Sequence, residues 1–169
     1  MYNIAIIGAG ATGLAAVLSA AKSKTKSLVV AKGFSTSGQS DNLGLSDYES
    51  LKKLFLQELK RNAKFLEFLP SQEVLSLEKN VVSFSLELKS GQICYAQSVI
   101  ICSGRDEKTG EGNTGFDLLA YKDSKGLIKT DSAAVTNISG LYAAGSVVAG
   151  FPDSQLAAMG EGAKAAQNA

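Results

Sequence analysis

The chain contains no histidine, no Cys-x-x-Cys pair, no run of like charge and no apolar stretch of membrane length. Without histidine, imidazole acid–base chemistry, histidine metal ligation and a Ser-His-Asp triad are all excluded. The two cysteines, Cys94 and Cys102, stand eight positions apart in apolar, β-like runs. Each therefore reads as core filling, not as half of a redox pair presented at a helix start. Seventeen basic against sixteen acidic residues leave a formal charge of +1, which offers no electrostatic footprint for nucleic acid or for a membrane surface. The apolar runs are strand-sized, and the opening residues enter a strand pattern directly without a basic leader. Neither a membrane span nor a signal peptide is expected, and the expected location is cytoplasmic. Any chemistry is left to a bound cofactor.

What is present is a chain of 169 residues, 45% hydrophobic, long enough for a real core and too short for two ordinary nucleotide-binding domains; a single domain over 1–169 is expected. Tyr2 to Ile7 is a mostly apolar, β-branched run that stops at Gly8, the pattern of a buried parallel strand. From Thr12 to Ala21 the residues Leu14, Ala15, Val17, Leu18 and Ala21 recur at helical spacing, and Lys22 and Lys24 close that helix with favourable charge. Ser27 to Ala31 predicts a second parallel strand, and Gly33 to Ser46 a long loop. Ser46 to Glu49 has capping-box spacing ahead of a helix to about Arg61, with Leu51, Leu54, Phe55 and Leu59 on one face.

From Phe65 to Ala96 the period changes to two. Val74–Leu77, Val81–Leu88 and Ile93–Ala96 predict an antiparallel meander with turns at Lys79-Asn80 and Ser90-Gly91. Phe55, Phe65 and Phe68 read as core where the second helix and the meander pack. Ser98 to Cys102 predicts a separate buried strand, Arg105 to Ser124 a mostly looped segment opening on a solvated charge cluster, and Leu141 to Ala144 a last short strand. Asp153-Ser154 can cap a final helix of small residues to about Gln167. The implied class is α/β: a Rossmann-like three-layer fold with a central parallel sheet and a small antiparallel meander.

Gly8-Ala9-Gly10-Ala11-Thr12-Gly13 fits G-x-G-x-x-G between a strand and a helix. The glycines serve a tight turn, close approach of backbone to phosphate, and close helix–strand packing. A dinucleotide pyrophosphate would sit on the helix N-terminus, where unpaired N–H groups and the positive dipole end favour anions. The alternative is a tight turn that holds no ligand.

Taken in order, the segments IAIIGAGATGLAAVLSAAK, SGQSDN, SVIICSG, GLIKTDSAAVTNISGLYAAGSVVAG and SQLAAMGEGAKAA resemble the FAD domain of the thioredoxin reductase family along nearly the whole chain. The resemblance implies FAD as cofactor. It places Gly8, Gly10, Ala11, Thr12 and Gly13 on the pyrophosphate, and Gly38, Gln39 and Asn42 near the ribityl chain and flavin. Ser103 and Gly104 would pass close to the cofactor, and Gly145 and Ser146 would meet its ribityl-phosphate side. The amides of Gln155 and Leu156 would face the flavin C2 carbonyl.

Two departures stand out. The family inserts an NADPH domain with a Cys-x-x-Cys pair where this chain has only Arg105 to Lys125, so thioredoxin reduction by the family mechanism is not expected. The ribose-binding acid expected at the end of the second strand is Ala31, followed by Lys32, and Ser146 replaces an aspartate. Losing such charge-assisted hydrogen bonds costs about 1.5–3 kcal/mol each. Ala31 with Lys32 also suits the 2′-phosphate of NADP as a second cofactor choice, although Lys32 reads more simply as a solvated loop residue.

The expected function is a small flavoprotein, an oxidoreductase or electron carrier fed by a separate reductase or by free NADH or NADPH. The alternatives are a nucleotide-binding regulatory module without redox turnover, an NADP-binding domain, and an empty remnant fold. No residue is assigned a catalytic or metal-binding role. Oligomeric state is left open: FAD domains of the resembled family commonly pair, and the apolar final helix is the candidate surface for a homodimer.

Overall fold

In the computed structural model, the residues described are 1–32, 45–106, 108–116, 120–152 and 154–169, with the side chains of 45–49, 51, 59 and 155 outside that description. The strands are β1 (Tyr2–Ile7), β2 (Ser27–Ala31), β3 (Leu66–Pro70), β4 (Val74–Lys79), β5 (Phe84–Leu88), β6 (Ile93–Ile101) and β7 (Leu141–Ala143). The helices are α1 (Ala11–Lys22), α2 (Leu45–Arg61) and α3 (Gln155–Asn168). All seven strands join one sheet in the order β3-β2-β1-β6-β5-β4, with β7 also on β6.

β6 is the hinge of this topology. Its first half, Ile93 to Ala96, runs antiparallel to β5. Its second half runs parallel to β1 on one side and to β7 on the other. The sheet therefore changes from a parallel α/β sheet to an antiparallel meander along the length of one strand.

Strand alternation divides the core into two layers. Ala5, Ile7, Leu28, Val30, Val99 and Ile101 face the meander side with Phe84, Leu86, Leu88 and Phe116. Ile4, Ile6, Val29, Ala31 and Ile100 face the helices with Leu14, Val17, Phe55 and Ala165. Helices, sheet and meander form the three layers expected, and α1 lies between α2 and α3.

Several boundaries differ from those expected. Ile93–Ala96 and Ser98–Ile101 are one strand, β6, with Cys102 just beyond its end. Leu66–Pro70 does not open the meander; it is a parallel edge strand on β2, where a terminal proline is tolerated because no ladder partner lies beyond it. β5 begins at Phe84: Val81 and Val82 sit at an exposed hairpin tip closed by the Asn80 N–H donating to the Ser83 carbonyl. Ser46 lies inside α2, which starts at Leu45, so it is not the N-cap. Leu54 is half exposed, whereas Phe55 is fully buried and meets Phe68 edge-on at 5.3 Å between ring centroids. Phe65 is partly buried.

Ser154 caps α3, accepting from the Ala157 N–H at 3.3 Å. α3 packs on α1 within this chain, with Gly162 so close that a Cβ there would overlap the Thr12 carbonyl. Gly160 is exposed, helical and faces open space, so Gly160→Ala should stabilise the fold by about 0.5–1 kcal/mol through helix propensity alone. Urea denaturation checks this, and a destabilised variant would show that the site is not open.

Candidate functional site: the glycine turn at the C-terminal edge of the parallel strands

β1 ends where a parallel α/β sheet offers its ligand crevice, at the carboxyl ends of the strands. Gly8 takes φ +111°, a left-handed value that glycine alone adopts freely, and a Cβ on it would overlap the Cys102 carbonyl of β6's exit. A Cβ on Gly13 would overlap the Gly8 carbonyl. Turn, helix and neighbouring strand exit are thus stacked backbone against backbone.

Gly10 is different. It is the N-cap of α1, in extended backbone (φ −73°, ψ −175°), and among the described residues nothing lies within 4 Å of a Cβ built there. No side chain caps α1 and no acidic residue occupies its first turn. Its carbonyl accepts from the Leu14 N–H, which leaves the N–H groups of Ala11, Thr12 and Gly13 without an acceptor among the described residues. An anion fits this arrangement without displacing any protein group.

The Thr12 side chain is buried and turned towards Gly145 and Gly162, so its N–H is what it presents to the crevice. Ala31 is 5% exposed with its methyl in the core. Lys32 is two-thirds exposed, as a solvated residue would be, and its Nζ lies 2.5 Å from Glu73 Oε1. Ser103 carries a hydroxyl that is buried and has no hydrogen-bond partner among the described residues, the kind of orphaned group a bound ligand satisfies. Gly104, at φ +77°, stands beside Ser103, and a Cβ on it would come within 3.7 Å of Ser146 Oγ. Gly145 and Ser146 belong to a short 3-10 turn after β7, and Gly145 packs on Thr12. Ser103, Gly104 and Ser146 are therefore neighbours, and Gly145 ties them to the start of α1.

Gln155 and Leu156 open α3, where first-turn amides have no intrahelical acceptor; the Leu156 side chain is 72% exposed. Gly38, Gln39 and Asn42 lie outside the described residues. Glu73 was not among the residues singled out from the sequence, because nothing in its own neighbourhood marks it and its partner, Lys32, follows the end of β2.

Burial pushes the Cys102 thiol up to about 12, and the Cys94 thiol upward with help from the Glu67 carboxylate. Both are protonated and unreactive at neutral pH. Tyr2 is raised by burial and by donating to Glu67 Oε2 at 2.6 Å. In the charge cluster after β6, Asp106 accepts from the Thr109 and Lys108 N–H groups, which lowers its carboxyl. Among the described residues of this cluster, Asp106 and Lys108 lie exposed on a surface turn. Among the described residues no group of three or more His, Cys, Asp or Glu side chains could hold a metal, and no helix is long and apolar enough to cross a membrane.

Residues 3–42 match a family model described as an FAD binding domain. The chain has a thioredoxin-reductase-like FAD-domain fold. It superposes on Lactococcus lactis thioredoxin reductase with a TM-score of 0.75 at 14% identity, covering 99% of this chain and 97% of that one. A ferredoxin-flavin thioredoxin reductase from Clostridium acetobutylicum gives 0.76 at 17% identity, with 99% and 96% covered. Over 100 residues the chain is 34% identical to the soluble pyridine nucleotide transhydrogenase of Pseudomonas aeruginosa (strain LESB58), covering 57% of this chain and 20% of that protein. The chain spans about a fifth of the length of such curated relatives. The family model matches the segment that forms β1, the glycine turn, α1 and β2, and FAD is the cofactor it supports.

Proposed function

We propose that residues 1–169 form one FAD-binding domain that works as an oxidoreductase module or electron carrier, receiving electrons from a separate donor. The observation that carries this reading is the open, uncapped α1 N-terminus at Gly10, inside a segment that matches an FAD binding domain. Names of similar proteins, a pyridine nucleotide transhydrogenase and thioredoxin reductases, support a nicotinamide nucleotide or a redox protein as the electron partner.

In this reading the N–H groups of Ala11, Thr12 and Gly13 hold the pyrophosphate, and the Ser103 hydroxyl donates to an oxygen of the cofactor. The backbone at Gly104 and at Gly145-Ser146 admits it without side-chain obstruction. The amides of Gln155 and Leu156 stabilise negative charge at the α3 N-terminus. When bound, the flavin supplies the redox chemistry. Cys94 and Cys102 take no part, being buried and protonated.

The test is direct. The purified chain should be yellow or should become so with FAD, and at an FAD concentration of one hundred times Kd its unfolding free energy should rise by about 2.7 kcal/mol. A colourless chain whose melting ignores FAD overturns the reading. Bound FAD that stays oxidised under anaerobic NADH or NADPH, and under a reduced flavodoxin-type donor, would leave a nucleotide-binding module without turnover.

A further inference from the structure

The acid that dinucleotide folds place at the end of the second strand reads the adenosine ribose, and this chain has the core residue Ala31 there. A carboxylate nevertheless reaches the same edge from another element. Glu73 lies in the turn between β3 and β4, and that turn is pinned on both sides. The Gln72 N–H donates to the Ala31 carbonyl at 3.1 Å, and the Glu73 carbonyl accepts from the Lys89 N–H at 2.8 Å. Gln72 Oε1 also accepts from the Ser90 N–H. The Glu73 side chain is three-quarters buried, with Oε1 on Lys32 Nζ and Oε2 without a partner among the described residues.

We propose that Glu73, steadied by Lys32, is the adenosine-ribose reader of this chain, replacing the missing strand-end acid from a different strand connection and selecting an unphosphorylated ribose. The inference rests on the FAD reading above. Its physical content is a matter of charge. A bare Lys32 beside Ala31 would attract a 2′-phosphate. A lysine already neutralised by a carboxylate does not, and that carboxylate repels a phosphate dianion while accepting from a ribose diol.

The test measures binding to the full chain by calorimetry with FAD, ADP-ribose and 2′-phospho-ADP-ribose. The unaltered chain should bind the first two and discriminate against the third by at least about tenfold. Glu73→Gln keeps the shape and loses the charge; it should weaken FAD and ADP-ribose by roughly tenfold, the difference between a charge-assisted and a neutral hydrogen bond. The same change should strengthen 2′-phospho-ADP-ribose by freeing Lys32. Lys32→Met breaks the same ion pair but keeps the carboxylate, so its loss of FAD affinity should be clearly smaller than that of Glu73→Gln, with the 2′-phosphate still rejected. Equal losses in Glu73→Gln and Lys32→Met would make the pair merely structural and overturn the assignment, as would an unchanged Glu73→Gln. Those results leave the FAD reading standing; an unaltered chain that binds neither FAD nor ADP-ribose removes both.

Discussion

Gly10→Asp should abolish FAD binding by a hundredfold or more while leaving the ligand-free fold as stable as before or slightly more so. The two halves of this expectation come from the same position. Gly10 is the N-cap of α1, its backbone is extended and allowed to any residue, and its Cβ would meet open space. Aspartate is among the best N-caps, and it gains over glycine by a few tenths of a kcal/mol, with a further contribution from the helix dipole. The ligand meets the opposite outcome. The carboxylate occupies the cradle, accepts from the same first-turn amides and repels a pyrophosphate, so a hundredfold loss, about 2.7 kcal/mol, is a lower bound for like charges in contact. Thermal melts with and without FAD read both halves at once. A variant that still binds FAD within threefold of the parent moves the pyrophosphate away from Gly10. One that cannot fold shows instead that Gly10 is not open.

Much of the frame that holds this cradle was legible in residue order, because buried parallel strands announce themselves as continuous apolar runs cut by glycine. β1 and β2 have the boundaries expected from Tyr2–Ile7 and Ser27–Ala31. The final helix likewise begins where Ser154 can cap it. β6 was less legible because its pattern changes midway. Ile93 and Tyr95 alternate outward along an antiparallel, half-solvated stretch, whereas Val99, Ile100 and Ile101 are all buried between parallel neighbours. One strand with two periodicities reads as two. β3 was hidden for a related reason: Glu67 and Pro70 interrupt its apolar run, as only an edge strand allows.

At the site, short-range geometry was readable and long-range pairing was not. The glycine spacing implies the turn and the helix N-terminus. It says nothing of Glu73 arriving beside Lys32 from the β3–β4 connection, which depends on β3 lying parallel to β2. The orphaned Ser103 hydroxyl is equally invisible in sequence, since serine at a strand exit is ordinarily satisfied by water or backbone.

Gly13→Ala should do the reverse of Gly10→Asp, although only three residues separate them. The added methyl would overlap the Gly8 carbonyl, and no flexible side chain is there to move aside. Gly8 has little room to retreat, because the Cys102 carbonyl at the exit of β6 occupies the place its own Cβ would take. Relief requires α1 to lift from the β1 turn, and that motion disturbs its packing on α3 as well, where Gly162 sits against the Thr12 carbonyl. A backbone clash of this kind costs about 3 kcal/mol, and in a domain of this size the melting temperature should fall by roughly 6–12 °C. A melting temperature within 2 °C of the parent would contradict the stacked arrangement. Saturating FAD adds stability by mass action, about 2.7 kcal/mol at one hundred times Kd, so part of the Gly13→Ala loss should return with ligand if the turn can still close. At that same FAD concentration Gly10→Asp should gain no more than about 0.4 kcal/mol, and that difference separates a glycine needed for packing from one needed for the phosphate.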